Sequence, residues 1–587
     1  MSPFLLLSVA LAALPPVEDR RHQLSALLDE QWEYVLRTNP EFASILGDKR
    51  YNDKLSDRSE AAVLKDIEAQ RQFLARFKAV DVRGFPEQEA LNHALMVRQL
   101  ETDLAGVRFK SWEMPVSQFG GIHINAPQLV SVLSFETVKD YDDYIARLKQ
   151  LPTAFGQTMD LMSKGMADKL MPPRILLEQV ARQSAKIAGA APEENPFFEP
   201  AKKIPASFPD ADKARIREQM LAAIRDGVRP AYQRFTKFVQ EEYAPKGRAE
   251  PGIWALPDGA ARYAYAVEQR TTTKLSPEEI HQLGLREVAR DRELMLRIAQ
   301  KLGYKDLKAF DVAIAADPKL HPKSREQMLQ LYREDIDRMW AKLPEYFGRL
   351  PKTKVEVMPV EAYREKEASG AQYVQGTPDG KRPGHVMVNT GDFEKRTTID
   401  IETTAYHEGV PGHHMQIAIA QGLPTLPKFR QHAHYVAFME GWALYSERLG
   451  EDAGFYQDPY SMYGHLQDDL LRAIRLVVDT GFHSRKWTRQ QVVDYFHANS
   501  GIDEPTVQSE TDRYMAWPAQ ALGYKIGQLK ILELRDRAKK ELGPRFDIRA
   551  FHDEVLGGGA MPLDVLDRRM AAWAARVKGG AAGATLH

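Results

Sequence analysis

The sequence Tyr-His-Glu-Gly-Val-Pro-Gly-His-His at residues 406–414, followed by Phe-Met-Glu-Gly-Trp at residues 438–442, is the most informative part of this chain. Three imidazoles lie close to one carboxylate, and a second carboxylate, Glu440, follows. A catalytic zinc takes two neutral imidazoles, one carboxylate and an open fourth position for water. Glu408, directly after the first histidine, stands where a general base can accept a proton from that water. The stretch therefore predicts a zinc hydrolase.

The spacing of the histidines is not that of a regular helix. After His407, the next histidines come six residues later (His413) and seven residues later (His414). On an unbroken helix His414 would lie ~10 Å along the axis, and His413 would point ~120° away. Pro411 donates no backbone N–H, and the glycines around it relax the chain, so a bulge absorbing two residues would bring the second histidine onto the face of the first. We predict His407 and His413 as ligands, with His414 as the alternative ligand or a hydrogen-bond donor behind them.

A glycine-rich helix end with surface histidines is the alternative interpretation of this stretch. Three features favour the metal. Residues 396–406 contain neither proline nor glycine and can form the first turns of a helix. Residues 415–420 continue as a largely apolar segment. Glu440 stands in the apolar helical run 437–445, where an unpaired carboxylate would be costly, so a metal, a cation or a proton is needed to explain it.

The composition excludes several other classes of protein. The chain has 587 residues, and 80 Lys and Arg against 81 Asp and Glu leave a formal charge of −1. This balance disfavours nucleic-acid binding. The absence of cysteine excludes disulfides, thiolate catalysis and thiolate metal sites. It fits a cytoplasmic or an exported protein equally well.

The first residues bear on the location of the protein. Residues 4–14 form an apolar run of the length of a signal-peptide core, and residues 10–12 offer a small-x-small cleavage site. The run is too short to span a bilayer. No basic side chain precedes it, so an ordinary apolar helix stays the alternative. We predict a signal peptide at 1–14 and a periplasmic or secreted protein, with a cytoplasmic one as the alternative; no other stretch reads as transmembrane.

Helical periodicity dominates the rest of the sequence, with apolar residues recurring at three and four positions and charges on the opposite faces. Proline-marked breaks at 192–209 and 245–257 separate helical blocks, and there is no internal repeat. We predict a mainly α fold in which residues 15–587 form one helical unit. The periodic segments are 136–190, 211–243, 276–302 and 324–348.

One region alternates like strands instead. Residues 354–360, 372–376 and 385–390 predict a small antiparallel sheet just before the metal motif. The edge of such a sheet can pair with an extended peptide substrate. A purely structural sheet explains the pattern equally well.

The last third of the sequence supplies candidates for catalysis and binding. A zinc hydrolase gains from a donor that stabilises the oxyanion, and Tyr524 and His483 are our first choices. Arg513 can hold a substrate carboxylate in a bidentate grip, and Tyr514 beside it is the second predicted substrate-binding residue. The alternatives are satisfied core groups for the tyrosines and the histidine, and a structural ion pair for the arginine. The predicted metal site as a whole falls in residues 354–563.

These motifs together resemble a bacterial family known as domain of unknown function 885. The resemblance covers most of the chain and departs at Pro-Ala-Gln-Ala, residues 518–521, where the family more often has glycine in second place. It is carried by Tyr-His-Glu-Gly-Val-Pro-Gly-His-His at 406–414, Glu-Gly-Trp-Ala-Leu-Tyr-Ser-Glu at 440–447, Val-Val-Asp-Thr-Gly-Phe-His at 477–483, Asp-Arg-Tyr at 512–514, Gly-Tyr-Lys-Ile-Gly at 523–527 and Phe-His-Asp at 551–553.

More distantly, the family is similar to the mostly helical gluzincin peptidases of the thimet-oligopeptidase, angiotensin-converting and thermostable-carboxypeptidase types. That resemblance implies two helical lobes around a deep channel, zinc at its floor and short peptides as substrates. It also implies that His407, His413 and Glu440 are ligands and that Glu408 is the base. Glu447, seven residues after the third ligand, would be the hydrogen-bond partner of a ligand histidine.

The sequence thus favours a zinc-dependent peptidase of carboxypeptidase or oligopeptidase type acting on short peptides. A metal-dependent amidase acting on a non-peptide amide is one alternative. A non-catalytic peptide-binding protein that kept the channel is the other. The oligomeric state is left open.

Overall fold

The computed structural model describes residues 15–360, 365, 369–377, 380, 382–423 and 426–580. The signal peptide predicted at 1–14 lies outside the described residues. None of the helices within the described residues combines the length and the apolar character that a membrane crossing requires.

The protein is mainly α-helical, as the periodicity predicts, and the described residues contain 25 α-helices. The first twelve are α1 Val17–Thr38, α2 Pro40–Ile45, α3 Glu60–Lys78, α4 Glu87–Gly106, α5 Ile122–Leu129, α6 Val138–Leu148, α7 Leu151–Ala167, α8 Arg174–Gly189, α9 Glu199–Lys202, α10 Asp210–Ala223, α11 Arg229–Phe238 and α12 Gly259–Thr271. The others are α13 Pro277–Lys301, α14 Leu307–Ala316, α15 Arg325–Tyr346, α16 Ile401–Glu408, α17 His413–Gln421, α18 Lys428–Gln431, α19 Val436–Asp452, α20 Pro459–His483, α21 Arg489–Asn499, α22 Glu504–Ala516, α23 Leu522–Leu542, α24 Ile548–Leu556 and α25 Leu563–Lys578.

Local sequence signals set several of the helix boundaries. At the start of α13, the Ser276 hydroxyl accepts the backbone N–H of Glu279 while the Glu279 carboxylate accepts the N–H of Ser276. This capping box satisfies two backbone donors that would otherwise have no partner. Pro277 occupies the first helical position, where no N–H is required. From there α13 packs along α20.

Helices α19 and α23 form the other extensive helix pair, and glycine permits their close approach. Gly441 on α19 lies against Gly527 on α23, and a Cβ on either would collide with the backbone of the other helix. Each collision would force the two helices apart. The contact matters for the site because α19 carries Glu440 and α23 carries Tyr524.

The three predicted strands form one sheet in the order β1-β3-β2, where β1 is Glu356–Pro359, β2 is Ala371–Val374 and β3 is His385–Val388. β2 pairs with β3 antiparallel, but β1 pairs with β3 parallel, so the sheet is mixed and the prediction of an antiparallel sheet is wrong in this respect. The alternation of side chains indicates strands but carries no information about the direction of pairing.

The largest hydrophobic cluster surrounds the metal motif and includes Tyr406, Met415 and Trp442, all fully buried. A separate cluster is formed by residues between 116 and 244. Packed side chains of the core therefore support the motif and fix its position. The two lobes and the deep channel expected from the gluzincin resemblance stay predictions.

Candidate metal centre

The break between α16 and α17 brings the two predicted histidine ligands together. Helix α16 ends at Glu408 and α17 begins at His413, so the chain makes two helices and not the single bulged helix that the sequence suggested. The Val410–Pro411 peptide bond between them is cis. A Cβ at Gly412 would collide with the carbonyl oxygen of His407, so only glycine fits this return of the chain.

Across this break the imidazoles of His407 and His413 stand nearly perpendicular, with ring centroids 4.9 Å apart. Glu440 of α19 faces both: its Oε2 lies 3.7 Å from His407 Nε2 and 3.3 Å from His413 Nε2. One ligand atom from each of the three residues lies within 4.8 Å of the others, and among the described residues this is the only such group.

The geometry fits a tetrahedral metal ion. Zinc binds histidine nitrogen and carboxylate oxygen at about 2.0–2.2 Å, which places two ligand atoms of one tetrahedral ion roughly 3.3 Å apart. The distances from Glu440 to the two imidazoles are close to that value. The set of two imidazoles and one carboxylate also leaves a fourth position open. His407, His413 and Glu440 can therefore hold a zinc ion.

Glu447 fixes the orientation of the first histidine. Its Oε1 lies 2.6 Å from His407 Nδ1, and its Oε2 accepts the hydroxyl of Thr403 at 3.0 Å. Glu447 is fully buried. An imidazole that donates from Nδ1 presents the lone pair of Nε2, and here Nε2 faces Glu440. The carboxylate thus selects the tautomer that a metal requires.

The site concentrates negative charge around the imidazoles. Burial by itself lowers the pKa of His407, but Glu440 and Glu447 outweigh burial and raise it well above its ordinary value. Burial likewise raises the pKa of Glu440, yet His413 and His407 hold it well below its ordinary value. A place where buried carboxylates favour a positive partner is also favourable for a metal cation.

His414, the alternative ligand, makes its hydrogen bonds away from the two predicted histidine ligands and Glu440. Its Nδ1 lies 3.1 Å from the hydroxyl of Tyr373 on β2, and its Nε2 lies 2.9 Å from the carbonyl oxygen of Thr353. Both ring nitrogens are thereby occupied away from Glu440. His414 instead ties the start of α17 to the sheet.

Glu408, the predicted general base, is the last residue of α16 and is half-buried. Its charge contributes to the raised pKa of the neighbouring His407, after the effects of burial, Glu440 and Glu447. Within the described part of the chain no group donates a hydrogen bond to its carboxylate. Such a carboxylate is free to accept a proton from a water beside the metal.

Tyr524, the predicted oxyanion donor, lies half-buried among arginines. Its hydroxyl accepts a hydrogen bond from Arg513 Nη2 at 3.2 Å, and the guanidinium of Arg475 lies over its ring at 4.6 Å. Arg472, on the same helix as Arg475, lies with its Nη2 3.9 Å from Oε1 of Glu447, the carboxylate that orients His407. A phenol in a positive environment can donate its own proton to a developing oxyanion.

Arg513, the predicted carboxylate-binding residue, has partners within the chain. It donates to Glu510 Oε1 at 3.1 Å and to Gln520 Oε1 at 2.8 Å, and its third acceptor is Tyr524. The structure therefore gives Arg513 the structural ion pair that was its alternative interpretation. The residue positions Tyr524 through the hydrogen bond to its hydroxyl.

His483 and Tyr514 require correction as candidates. His483 Nδ1 accepts the backbone N–H of Ile253 at 3.0 Å, and Nε2 donates to the carbonyl of Tyr514 at 2.9 Å. Burial lowers the pKa of His483 to about 3, so it is neutral and has no free nitrogen for an oxyanion. Tyr514 is fully buried and its hydroxyl donates to Glu510, so it presents no group to a substrate. The polar groups of both residues therefore form hydrogen bonds within the core of the protein.

Two further residues at the site, Thr403 and Arg472, are assigned no role from the sequence. Thr403 bonds to Glu447 from inside α16, and nothing in the local sequence distinguishes it. Arg472 lies within the apolar helix α20, and a charged side chain in such a helix is a signal of a buried partner. The carboxylates beside Arg472 are those of Asp468 at 2.8 Å and Glu447 at 3.9 Å.

The comparisons with known proteins support a family without an assigned activity. Residues 40–570 match the model of the family described as bacterial protein of unknown function, DUF885. The crystal structure of a "putative lipoprotein" from Colwellia psychrerythraea superposes with a TM-score of 0.90 at 31% sequence identity, covering 95% of this chain and 100% of that chain. The structure of a "putative lipoprotein of unknown function" from Shewanella oneidensis gives a TM-score of 0.70 at 17% identity, covering 95% of this chain and 100% of that one, and shows the likeness of fold alone. No curated protein matches the chain.

Proposed function

Since the chain belongs to the DUF885 family, whose description assigns no activity, we propose from its geometry that it is a zinc-dependent peptidase acting on short peptides. One observation carries the proposal: ligand atoms of His407, His413 and Glu440 converge within 4.8 Å of one another. Glu408 follows the first of these residues directly in the sequence.

Each residue of the site has its own role in the proposed hydrolysis of a peptide bond. When bound, zinc lowers the pKa of a water to about 7 and polarises a carbonyl oxygen. Glu408 accepts the proton of that water and returns it to the leaving amine. Glu447 keeps the His407 ring in one orientation throughout.

Tyr524 is the proposed oxyanion donor. Its hydroxyl oxygen accepts the Arg513 N–H, so its own proton remains available for donation. A donor aimed at the charge that develops on a carbonyl oxygen lowers the barrier more than one aimed at the substrate in its ground state. The hydrogen bond from Arg513 makes the phenol a stronger donor.

The sheet supports a peptide as the substrate. β2 is an edge strand of the sheet, and its Tyr373 contacts His414, the neighbour of the ligand His413. An extended peptide can add to such an edge through main-chain hydrogen bonds. A non-peptide amide would gain nothing from this strand.

The test combines a metal assay with a screen of quenched fluorescent peptides and acylated amino acids. Wild type should contain zinc and cleave peptides. Glu408→Gln should keep the zinc and lose about 10²- to 10⁴-fold in kcat, because the general base is gone. Glu394→Gln, a change of the same kind at an exposed position, is the control and should keep full activity. A Glu408→Gln enzyme as active as wild type would refute the assigned role, and cleavage of acylated amino acids alone would favour an amidase.

We also propose that the protein works outside the cytoplasm. The apolar run at residues 4–14 and the description of the Colwellia protein as a "putative lipoprotein" both favour export. Fractionation of cells that express the whole chain tests this, and recovery in the cytoplasm would contradict it.

A further inference from the structure

A cavity with a largely apolar lining and a few polar side chains adjoins the metal residues. It has a volume of about 260 Å³, room for roughly nine waters at about 30 Å³ each, which suits one substrate side chain. One wall is Met439, which directly precedes Glu440, and another is α17, which begins with His413. The polar side chains in its lining include those of Gln416, Arg430 and His434.

Arg430 lines this cavity as a buried charge without a counter-ion. It is 1% exposed, and its hydrogen bonds go to neutral acceptors, Asn92 Oδ1 at 2.9 Å and the carbonyl oxygens of Gly558 at 2.6 Å and Ala560 at 3.2 Å. Among the described residues no carboxylate forms an ion pair with it, and its Nε has no hydrogen-bond partner. Burial lowers its pKa to about 10. A buried cation left without an anion is costly, so it calls for an explanation.

Gln416 is a second unpaired group in the same wall. It is 4% exposed, and neither its amide nitrogen nor its amide oxygen has a hydrogen-bond partner in the described part of the chain. It stands three residues after His413 on α17, so the two side chains share a face of that helix. Buried amides in native proteins are normally paired, and a bound ligand can supply the partners.

The charge of the cavity is positive. The fourteen lining residues include one arginine and no aspartate or glutamate. Burial lowers the pKa of His434, which lines the cavity. The charges of Glu440 and His413 also affect this pKa, so the metal residues lie close to the cavity. A group bound in this cavity therefore stands beside the bond that the metal centre would cleave.

We propose that this cavity binds a carboxylate of the substrate, which pairs with Arg430 and accepts a hydrogen bond from the Gln416 amide. The proposal rests on the peptidase function above and specifies its substrate class. The substrate is a short peptide with an acidic group next to the scissile bond. That group is either the side chain of Asp or Glu or the carboxylate at the peptide's own end.

Matched peptides test the proposal on the wild-type protein. One series places Glu, Gln or Lys on either side of the scissile bond of an amidated alanine peptide, and a second compares a free with an amidated carboxyl end. A hydrogen-bonded charge pair predicts a kcat/KM about 10- to 100-fold higher for the acidic member. Preference in the first series identifies a side chain, and preference in the second identifies the terminal carboxylate. Equal rates for acid and amide in both series overturn the proposal.

The substrate preference of a cavity variant also tests the proposal, because a purely structural role of Gln416 would leave that preference unchanged. Gln416→Glu places a carboxylate in the cavity that Arg430 also lines, so it should abolish the preference for the acidic peptide and improve cleavage of the Lys peptide. Gln300→Glu, the same change at an exposed position of α13 outside the cavity, is the control and should keep the wild-type preference. An unchanged preference in Gln416→Glu overturns the proposal. Arg430→Gln is the complementary variant, although its bonds to Gly558 and Ala560 also support the fold.

A binding measurement separates this inference from the proposed activity. Calorimetry on Glu408→Gln compares acetyl-Ala-Glu-amide with acetyl-Ala-Gln-amide, and acetyl-Ala-Ala with its amide. Tighter binding of an acidic probe by about tenfold supports the cavity even if no peptide is cleaved, in which case the peptidase proposal alone fails. Cleavage together with equal binding of both members of each pair overturns the cavity and leaves the peptidase.

Discussion

Two histidines of the core and the two histidines of the candidate metal centre have different surroundings. In the core, His483 and His552 have both ring nitrogens hydrogen-bonded, and burial lowers the pKa of each to about 3. At the candidate metal centre, His407 and His413 each direct Nε2 towards the carboxylate of Glu440. Burial is common to both regions, so it does not identify a ligand. What distinguishes His407 and His413 is that their ring nitrogens face one shared carboxylate.

His414 shows that neighbours in sequence can belong to different groups. It directly follows His413, yet its two nitrogens lie against Tyr373 and Thr353 as those of a core histidine would. The break at Gly412 turns one imidazole towards Glu440 and the other towards the sheet.

Zinc removal should give the largest effect. At a thousand times its dissociation constant, a ligand that binds only the folded chain stabilises it by about 4 kcal/mol. We expect chelation to lower the melting temperature of wild type and added zinc to restore it. Glu440→Ala, which lacks the shared carboxylate, should respond to neither. If neither zinc nor chelator changed the melting temperature of wild type, the proposed distinction between the two regions would be wrong.

Loss of Glu447 should weaken zinc binding without abolishing it. In Glu447→Gln the amide no longer enforces the Nδ1–H tautomer of His407, and changes of this kind cost about 10- to 100-fold in metal affinity. Competition with a fluorescent chelator measures this. Glu451→Gln is the control, since Glu451 lies against His465 and not against a ligand. Equal affinities of the two variants would contradict the role of Glu447.

The core histidines should account for part of the stability that the folded protein loses at acidic pH. Their folded pKa values lie below the ordinary value of 6.5, so the unfolded chain takes up protons first. Their contribution to stability is therefore present above pH 6.5 and is lost as the pH falls towards 3. At pH 5 the loss amounts to about 2 kcal/mol for each histidine.

Chemical denaturation at pH 7 and pH 5, with chelator present, measures this loss. His552→Gln should lose about 2 kcal/mol less than wild type between the two pH values, because one histidine no longer titrates. His22→Gln, at an exposed position, should follow wild type. Identical losses in all three proteins would show that burial of His552 has no such effect.

Much of the helical fold is predictable because its signals are local. The apolar period over residues 276–302 and the capping box at Ser276 mark α13 nearly to the residue. The parallel pairing of β1 with β3 was missed, since it depends on the path of the chain between the strands. The predicted helix at 396–406 begins only at Ile401.

The site was predictable to the extent that it lies in one motif. His407, Glu408 and Glu440 follow from residue type and from the apolar surroundings of the second carboxylate. The choice of His413 over His414 required the break at Gly412. The unpaired state of Arg430 is visible only in three dimensions, because its neighbours come from distant parts of the chain.

The decisive measurement is the zinc content of two variants at neighbouring positions, His413→Ala and His414→Ala. If the turn between α16 and α17 delivers the second ligand, His413→Ala should retain no zinc after dialysis, while His414→Ala should retain about one ion per chain. Elemental analysis of both proteins beside wild type gives the answer. Zinc lost from His414→Ala and kept by His413→Ala, or absent from wild type itself, would contradict the account.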